Sequence, residues 1–365
     1  MKFLFIIQGE GRGHQTQAIA LSQILQENGH QVCAALFGTS DLSKTPELFK
    51  TNVGFDLIPF ESPALAYNPK TKGLSIRQTL KYSLPKLPKY INSIRLIKTT
   101  VELLKPDAII NFYDFLGGVY SGILNKNIPV YAIGHQYLLL NPKFNHPKKH
   151  YLDRLTVNIN STITAWGSTK KLALSFSAFE NYKNIKTTPP LLRKEIKKLG
   201  PSEQNFILVY LTQSSLLERL IPIAKAYPNE YFECFLNTWD ETLELPDNIK
   251  INPISADKYL EKMASCKAII TTAGFESACE AMYLNKPVMM IPVPNHYEQH
   301  CNAIDAQRAQ AGHFEMEINV ASFERFLFIL KNKKHNHRPW LNQTSSFFLN
   351  ELGINNLQSP KLEFA

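Results

Sequence analysis

The sequence predicts an α/β protein built from two doubly wound parallel sheets that face each other across a cleft. Three observations predict it. Strand-length apolar runs alternate with helix-period segments in both halves; the alternation breaks at a proline-bearing turn and then restarts; a chemistry-bearing motif follows a strand in each half. Strand–helix alternation implies parallel strands covered by helices on both faces. With 365 residues, 44% of them apolar and 19% charged, the chain is long enough and apolar enough for two cores.

Residues 2–7 form an apolar run of strand length. "QTQAIALSQILQENGH" then places Ala18, Leu21, Ile24 and Leu25 on one helical face, with Gly29 positioned to end it. "QVCAALF" is a second strand, "DAIINFY" (107–113) a buried one, "FLGGVYSGILNKN" a helix and "IPVYAIG" the next strand. In the second half "NFILVYL" (205–211), "YFECFL" (231–236), "KAIITTA" (267–273) and "KPVMMIPV" (286–293) read as strands, with helices over 214–226, 256–265 and 275–284. Two consecutive prolines cannot sit inside a helix or a central strand. The expected division is therefore 1–185 for the first domain, 186–204 for the linker, 205–335 for the second domain and 336–365 for closing helices.

The five cysteines show no C-x-x-C pair, which predicts reduced core thiols rather than disulfides or a metal site. The opening apolar run is too short for a signal-peptide core, and no run approaches the ~20 residues of a membrane span. The expected location is the cytoplasm. The net charge of +9 is uneven: residues 61–105 hold nine Lys/Arg against two acids, interleaved with Leu, Tyr, Ile and Pro. Such a stretch (70–105 at its most basic) suits either an anionic membrane surface on the inner face or a solvated helical face with a loop. No nucleic-acid module accompanies it, so nucleic acid is not an expected partner.

"GEGRGH" (9–14) follows the first strand. A dinucleotide fingerprint needs G-x-G-x-x-G and an acid at the tip of the second strand. Here His14 stands where the third glycine belongs, and "ALFGTS" offers no carboxylate. What remains is a turn carrying Gly11 and Gly13 that presents His14 at a helix entry, suited to a general base. Asp114, at another strand tip of the same half, is the expected carboxylate to orient it.

"TTAGFESACEAMYLNKPVMMIPVPNHYEQHCNA" (271–303) is the densest stretch. Gly274 follows a buried strand and opens a helix whose free N–H groups form an anion site. Ser277 is placed to add a hydroxyl to a phosphate, and Glu280 to accept hydrogen bonds from a ribose diol. In "HYEQH", His296 and His300 have i, i+4 spacing, but the glutamate is misplaced for a zinc hydrolase and "PVPN" argues for a loop.

This stretch resembles the donor-binding signature of two-Rossmann-domain (GT-B) glycosyltransferases. These include the UDP-sugar enzymes of plant and animal glucosyl and glucuronosyl transfer and the peptidoglycan GlcNAc transferase. The motifs G-F-x-x-x-x-E-A and E-Q-x-x-N-A match a bacterial and archaeal branch. The resemblance implies that Gly274, Phe275 and Ser277 hold the donor diphosphate and Glu280 the ribose. It further implies that Glu298 and Gln299 grip the sugar hydroxyls, that Arg193 lies near the phosphates, and that His14 is the acceptor base with Asp114 as its partner. Gly11, Gly13, His135 and Gln136 become acceptor-side candidates. Three positions depart from the pattern: Thr272 replaces a histidine, Glu276 an asparagine and Gln17 an arginine.

The expected chemistry is metal-independent, inverting transfer of a sugar from a nucleotide-sugar, a UDP-sugar by resemblance, to a hydroxyl on a lipid or small-molecule acceptor. No D-x-D occurs to bind a metal, and no cofactor is expected beyond the donor as co-substrate. Two alternatives stay open: a nucleotide-sugar 2-epimerase-like isomerase and a non-catalytic sugar-nucleotide-binding protein.

Overall fold

The computed structural model describes residues 1–41, 53–66, 75–148, 150–210, 215–236, 238–332 and 337–354. The first sheet contains β1 (Lys2–Gln8), β2 (Gln31–Thr39), β3 (Leu57–Glu61), β4 (Ala108–Phe112), β5 (Val130–Ile133), β6 (Lys170–Leu174) and β7 (Ile185–Thr188), in the order β3-β2-β1-β4-β5-β6-β7. The second contains β8 (Ile207–Tyr210), β9 (Phe232–Leu236), β10 (Ile249–Pro253), β11 (Ala268–Thr271), β12 (Val288–Met290) and β13 (His313–Phe314), in the order β10-β9-β8-β11-β12-β13. Neighbouring strands within both sheets run parallel. In each sheet the chain starts centrally and winds outward both ways. The order reverses between β1 and β4 in one and between β8 and β11 in the other. Loops leaving such neighbours diverge and open a crevice at the carboxyl edge.

The covering helices are α1 (Gly13–Glu27), α2 (Ile76–Ser83), α3 (Leu87–Leu104), α4 (Phe115–Ile123), α5 (Tyr151–Thr164) and the short α6 (Lys194–Lys198). In the second half follow α7 (Ser215–Ala226), α8 (Ala256–Ser265), α9 (Phe275–Tyr283), α10 (Tyr297–Arg308), α11 (Val320–Asn332), α12 (Arg338–Leu341) and α13 (Thr344–Glu351). Phe3–Ile7 of β1 are all 0% exposed, which explains their unbroken apolar run. Phe3, Phe5 and Ile7 pack with Leu21 and Leu25 of α1, whereas Leu4 and Ile6 pack with Ile97 and Leu116 on the opposite face. The first cluster does not stop at the domain edge. It continues through Leu191, Leu192 and Ile196 to Leu208, Met290 and Phe348, so linker and tail join both halves. The tail returns to the first sheet, where Thr344 Oγ1 donates to the Pro190 carbonyl at 3.2 Å and Lys170 pairs with Glu351 at 3.0 Å.

Differences from the sequence expectation have local causes. The start of the anticipated linker is edge strand: Ile185–Thr188 pairs with β6, and the chain leaves the sheet only at Pro189. β6, β10 and β13 carry mixed polar residues that hide their strand character, and β3 is interrupted by Pro59. "KPVMMIPV" keeps only Val288–Met290 in strand, because prolines bracket it. Residues 70–74 of the basic segment lie outside the described residues; the described part forms α2, a 3₁₀ turn over Leu84–Lys86, and α3. "HYEQH" straddles a helix start, since α10 begins at Tyr297 and His296 caps it. All five cysteines are free, four of them buried.

The glycine turn after β1 is shaped by close approach. Gly9 N–H donates to the Gly38 carbonyl at 2.6 Å, and a Cβ on Gly9 would lie 2.5 Å from that oxygen. Gly11 adopts φ 87°, a left-handed conformation that favours glycine. Gln15 Nε2 ties the turn by donating to the Gly9 and Gly11 carbonyls at 3.1 and 3.0 Å. We expect Gly9→Ala to destabilise the fold by about 1–3 kcal/mol through overpacking. Urea denaturation should show this as a lowered midpoint with an unchanged slope.

Candidate active site

His14 enters the crevice from the first turn of α1. Its ring stacks on Tyr113 with centroids 5.4 Å apart and planes inclined by 16°. Nδ1 lies 3.4 Å from Gln17 Oε1. Burial pushes the imidazole down to about 4, outweighing the opposing effect of the hydrogen bond to Gln17 Oε1. At neutral pH the ring is therefore uncharged and keeps a lone pair, the state that a general base needs.

Asp114 does not orient it. Its Oδ1 accepts from Gly117 N–H at 2.8 Å, capping α4, and burial raises its carboxyl to about 6. The backbone turns left-handed at Tyr113 (φ 63°). It is the Tyr113 ring, not the next carboxyl, that meets His14.

On the second domain, β11 ends at Thr271 and Gly274 stands at the N-cap of α9 with no side-chain cap. The first-turn N–H groups and the helix dipole there favour an anion. Asn302 pins the approach by donating to the Ala273 carbonyl at 3.0 Å. Three carboxyl groups converge on this region, each with a donor from another segment. Arg193 Nη2 donates to Glu280 Oε1 at 2.7 Å, Gln17 Nε2 to Glu276 Oε1 at 2.6 Å, and Gln136 Nε2 to Glu298 Oε1 at 3.0 Å. Burial is the main cause of the rise in all three: Glu276 reaches about 8, and Glu280 rises despite Arg193. Gln299 Oε1 accepts from Val293 N–H at 2.9 Å, leaving its NH₂ for a ligand.

These groups surround two adjoining cavities. The larger, about 480 Å³, spans both domains, and the smaller, about 350 Å³, is walled by Pro63, Ala64, Leu65, Tyr113 and Phe115 of the first. Glu10, Gly11, His14, Gln136 and Glu298 line both and mark their junction. The larger cavity gathers Gly274, Phe275, Ser277, Glu280, Arg193, Glu298 and Gln299 as the sequence anticipated. Asp114 lines neither. Gly13 and His135, anticipated on the acceptor side, line only the larger cavity. His135 is held there because Nδ1–H donates to the Leu174 carbonyl at 2.7 Å and the ring stacks 4.2 Å from Phe275.

The sequence reading missed Tyr113, whose aromatic ring at a strand tip carried no motif. It treated Gln17 and Glu276 as unrelated departures, although they meet across the cleft. Among the described residues, no group of three or more His, Cys, Asp or Glu is placed to hold a metal ion.

Arg193→Met should leave Glu280 buried without its cation, at a cost of about 3–5 kcal/mol. The folded carboxyl already holds its proton above its unfolded pKa, so raising the pH through that window removes stability. Thermal melts should therefore show a larger loss at pH 8 than at pH 5.

The family model for Glycosyl transferase family 1 matches residues 1–331. An uncharacterised glycosyltransferase of Methanosarcina acetivorans is 24% identical over 347 residues, covering 86% of this chain and 83% of the relative. One from Methanosarcina mazei is 24% identical over 339 residues, covering 83% and 82%. Among solved structures, UGT2 of Phytolacca americana, complexed with UDP-2-fluoro-glucose and pterostilbene, superposes with a TM-score of 0.69 at 13% identity, covering 98% of this chain and 100% of that one. The glycosyltransferase SnogD of Streptomyces nogalater gives 0.58 at 17% identity, covering 98% and 99%. With its paired parallel-sheet domains and this family match over nearly its whole length, the chain belongs to glycosyl transferase family 1 and is a glycosyltransferase of the GT-B fold.

Proposed function

We propose that the protein moves a sugar from a UDP-sugar to a hydroxyl of an apolar, membrane-associated acceptor, with inversion and without a metal ion. The observation that carries this reading is the place of His14 at the junction of the two cavities. The nucleotide-sugar occupies the larger cavity: its diphosphate lies at the start of α9 with Ser277 and Arg193, its ribose at Glu280, and its sugar at Glu298 and Gln299. The acceptor occupies the smaller one. His14 Nε2 takes the proton of the acceptor hydroxyl as that oxygen bonds to the anomeric carbon. The bond from that carbon to the diphosphate oxygen breaks, and its electron pair leaves with the diphosphate. Helix dipole and guanidinium stabilise the departing charge, which is transition-state stabilisation by groups already in place. Attack from one cavity and departure into the other support inversion. The nucleotide reading also draws support from the UDP-2-fluoro-glucose bound by the Phytolacca americana protein.

The acceptor side supports an apolar partner. Pro63, Ala64, Leu65 and Phe115 wall its cavity, and Ala66 is tied to α2 through Thr79 Oγ1 at 2.9 Å. Along α2 and α3 the side chains of Leu80, Tyr82, Leu84, Leu87 and Ile91 are all more than half exposed, interleaved with Lys81, Lys86 and Lys89. Apolar groups can enter the headgroup boundary while each lysine near an anionic surface contributes about 1 kcal/mol. Among the described residues no helix is long and apolar enough to cross a membrane, so this attachment is peripheral.

A transfer assay over UDP-, GDP- and dTDP-sugars with extracted lipids tests the reaction. Activity should survive EDTA, and His14→Ala should cut turnover by about 10²–10⁴-fold while UDP binding persists. An epimer formed from donor alone, or turnover retained without His14, defeats the reading. With His14 at about 4 and Glu276 at about 8, turnover should fall on acidification through the first value as the base is protonated. Donor KM should rise above the second, where a new carboxylate faces the diphosphate.

Vesicle co-sedimentation tests the surface. Binding to phosphatidylglycerol vesicles should weaken with salt, be absent for phosphatidylcholine, and be lost in Leu84→Glu/Leu87→Glu. Salt-insensitive or absent binding refutes membrane attachment.

A further inference from the structure

Gln17 and Glu276 are two of the three positions that depart from the motif pattern, one in each domain, and they are bonded to each other. The start of α1 and the first turn of α9 come together at Gly13, where a Cβ would lie 3.4 Å from Glu276 Cγ. Across this gap Gln17 Nε2 donates to Glu276 Oε1 at 2.6 Å, and Gln17 Oε1 lies 3.4 Å from His14 Nδ1. The His14 ring makes this contact and the stack on Tyr113.

A side-chain amide has one donating and one accepting end. With its NH₂ spent on Glu276, the end that meets His14 is an oxygen, which accepts only. The proton of the neutral imidazole must then reside on Nδ1, and the lone pair on Nε2. Glu276 accepts through Oε1, so a proton on this carboxyl resides on Oε2. The geometry points to a positioning relay, Glu276 to Gln17 to His14, that holds the base in its Nε2-reactive tautomer and does so only while the second domain is apposed to the first. This rests on the reading of His14 as the base. It assigns to an amide, anchored from the opposite domain, the orienting task expected of Asp114. Which ring nitrogen is protonated is set by the hydrogen bond that the other makes, and a wrong tautomer disables an otherwise intact site.

The test is ¹⁵N long-range correlation NMR at pH 7 on the full chain labelled at histidine, with His14 assigned by its loss in His14→Ala. Wild type should show His14 protonated on Nδ1. Gln17→Met, nearly isosteric and unable to make either bond, should move His14 toward the Nε2-protonated form that free imidazole side chains favour. Its kcat should fall about 10- to 100-fold, part of what a general base supplies, with donor KM within about twofold. Gln17→Glu should restore the Nδ1 proton, since a carboxylate there again only accepts. Glu276→Ala should shift the tautomer in the same direction as Gln17→Met. Circular dichroism melts show that each variant is folded, and Glu276→Ala serves if Gln17→Met is not. Wild-type His14 protonated on Nε2, or a tautomer indifferent to Gln17→Met, overturns the relay. The NMR needs no substrate. A wild-type protein that shows the tautomer pattern but transfers no sugar refutes the proposed function and leaves the relay standing.

Discussion

Three carboxyl groups buried where the domains meet set the terms for this structure. An acid taken out of water without a partner costs several kcal/mol. Glu276, Glu280 and Glu298 avoid that cost because Gln17, Arg193 and Gln136 each supply a donor from the first domain or the linker. Those pairings exist only in one relative placement of the halves, so they specify the cleft as much as they stabilise it. The apolar cluster running through Leu191, Leu192 and Ile196 supplies the non-directional part of the same apposition.

The same burial makes an acid-rich cleft compatible with an anionic ligand. Desolvation raises all three carboxyl groups, and Glu276 at about 8 is largely neutral at physiological pH. It also depresses His14 to about 4, so the imidazole is uncharged. Around Glu276 and His14 the cleft therefore presents hydrogen-bonding polarity rather than charge. The positive end of α9 and the Arg193 guanidinium then decide the sign of the local field.

Much of this was legible in the sequence for physical reasons. A parallel strand covered on both faces must be apolar throughout, which exposes β1, β4 and β11 to reading. Glycines and helix starts at strand tips mark crevices, which located His14 and Gly274. Edge and short strands such as β6, β7 and β13 meet no such demand and left no trace. Asp114 was misjudged because its nearness to His14 in the sheet order says nothing about side-chain direction. The left-handed turn at Tyr113 sends the carboxyl to cap α4.

The sequence by itself determined the sheet-and-helix alternation, the histidine at the first strand tip and the helix start at Gly274, because periodicity and turn chemistry are local properties. Only the tertiary structure decided which residues share a bond across the cleft. Gln17 and Glu276 are 259 positions apart and look like separate irregularities until two chain segments are brought to 2.6 Å. The polarity of that contact, and with it the tautomer of His14, is a property of pairs, and no pattern along one strand of sequence encodes it.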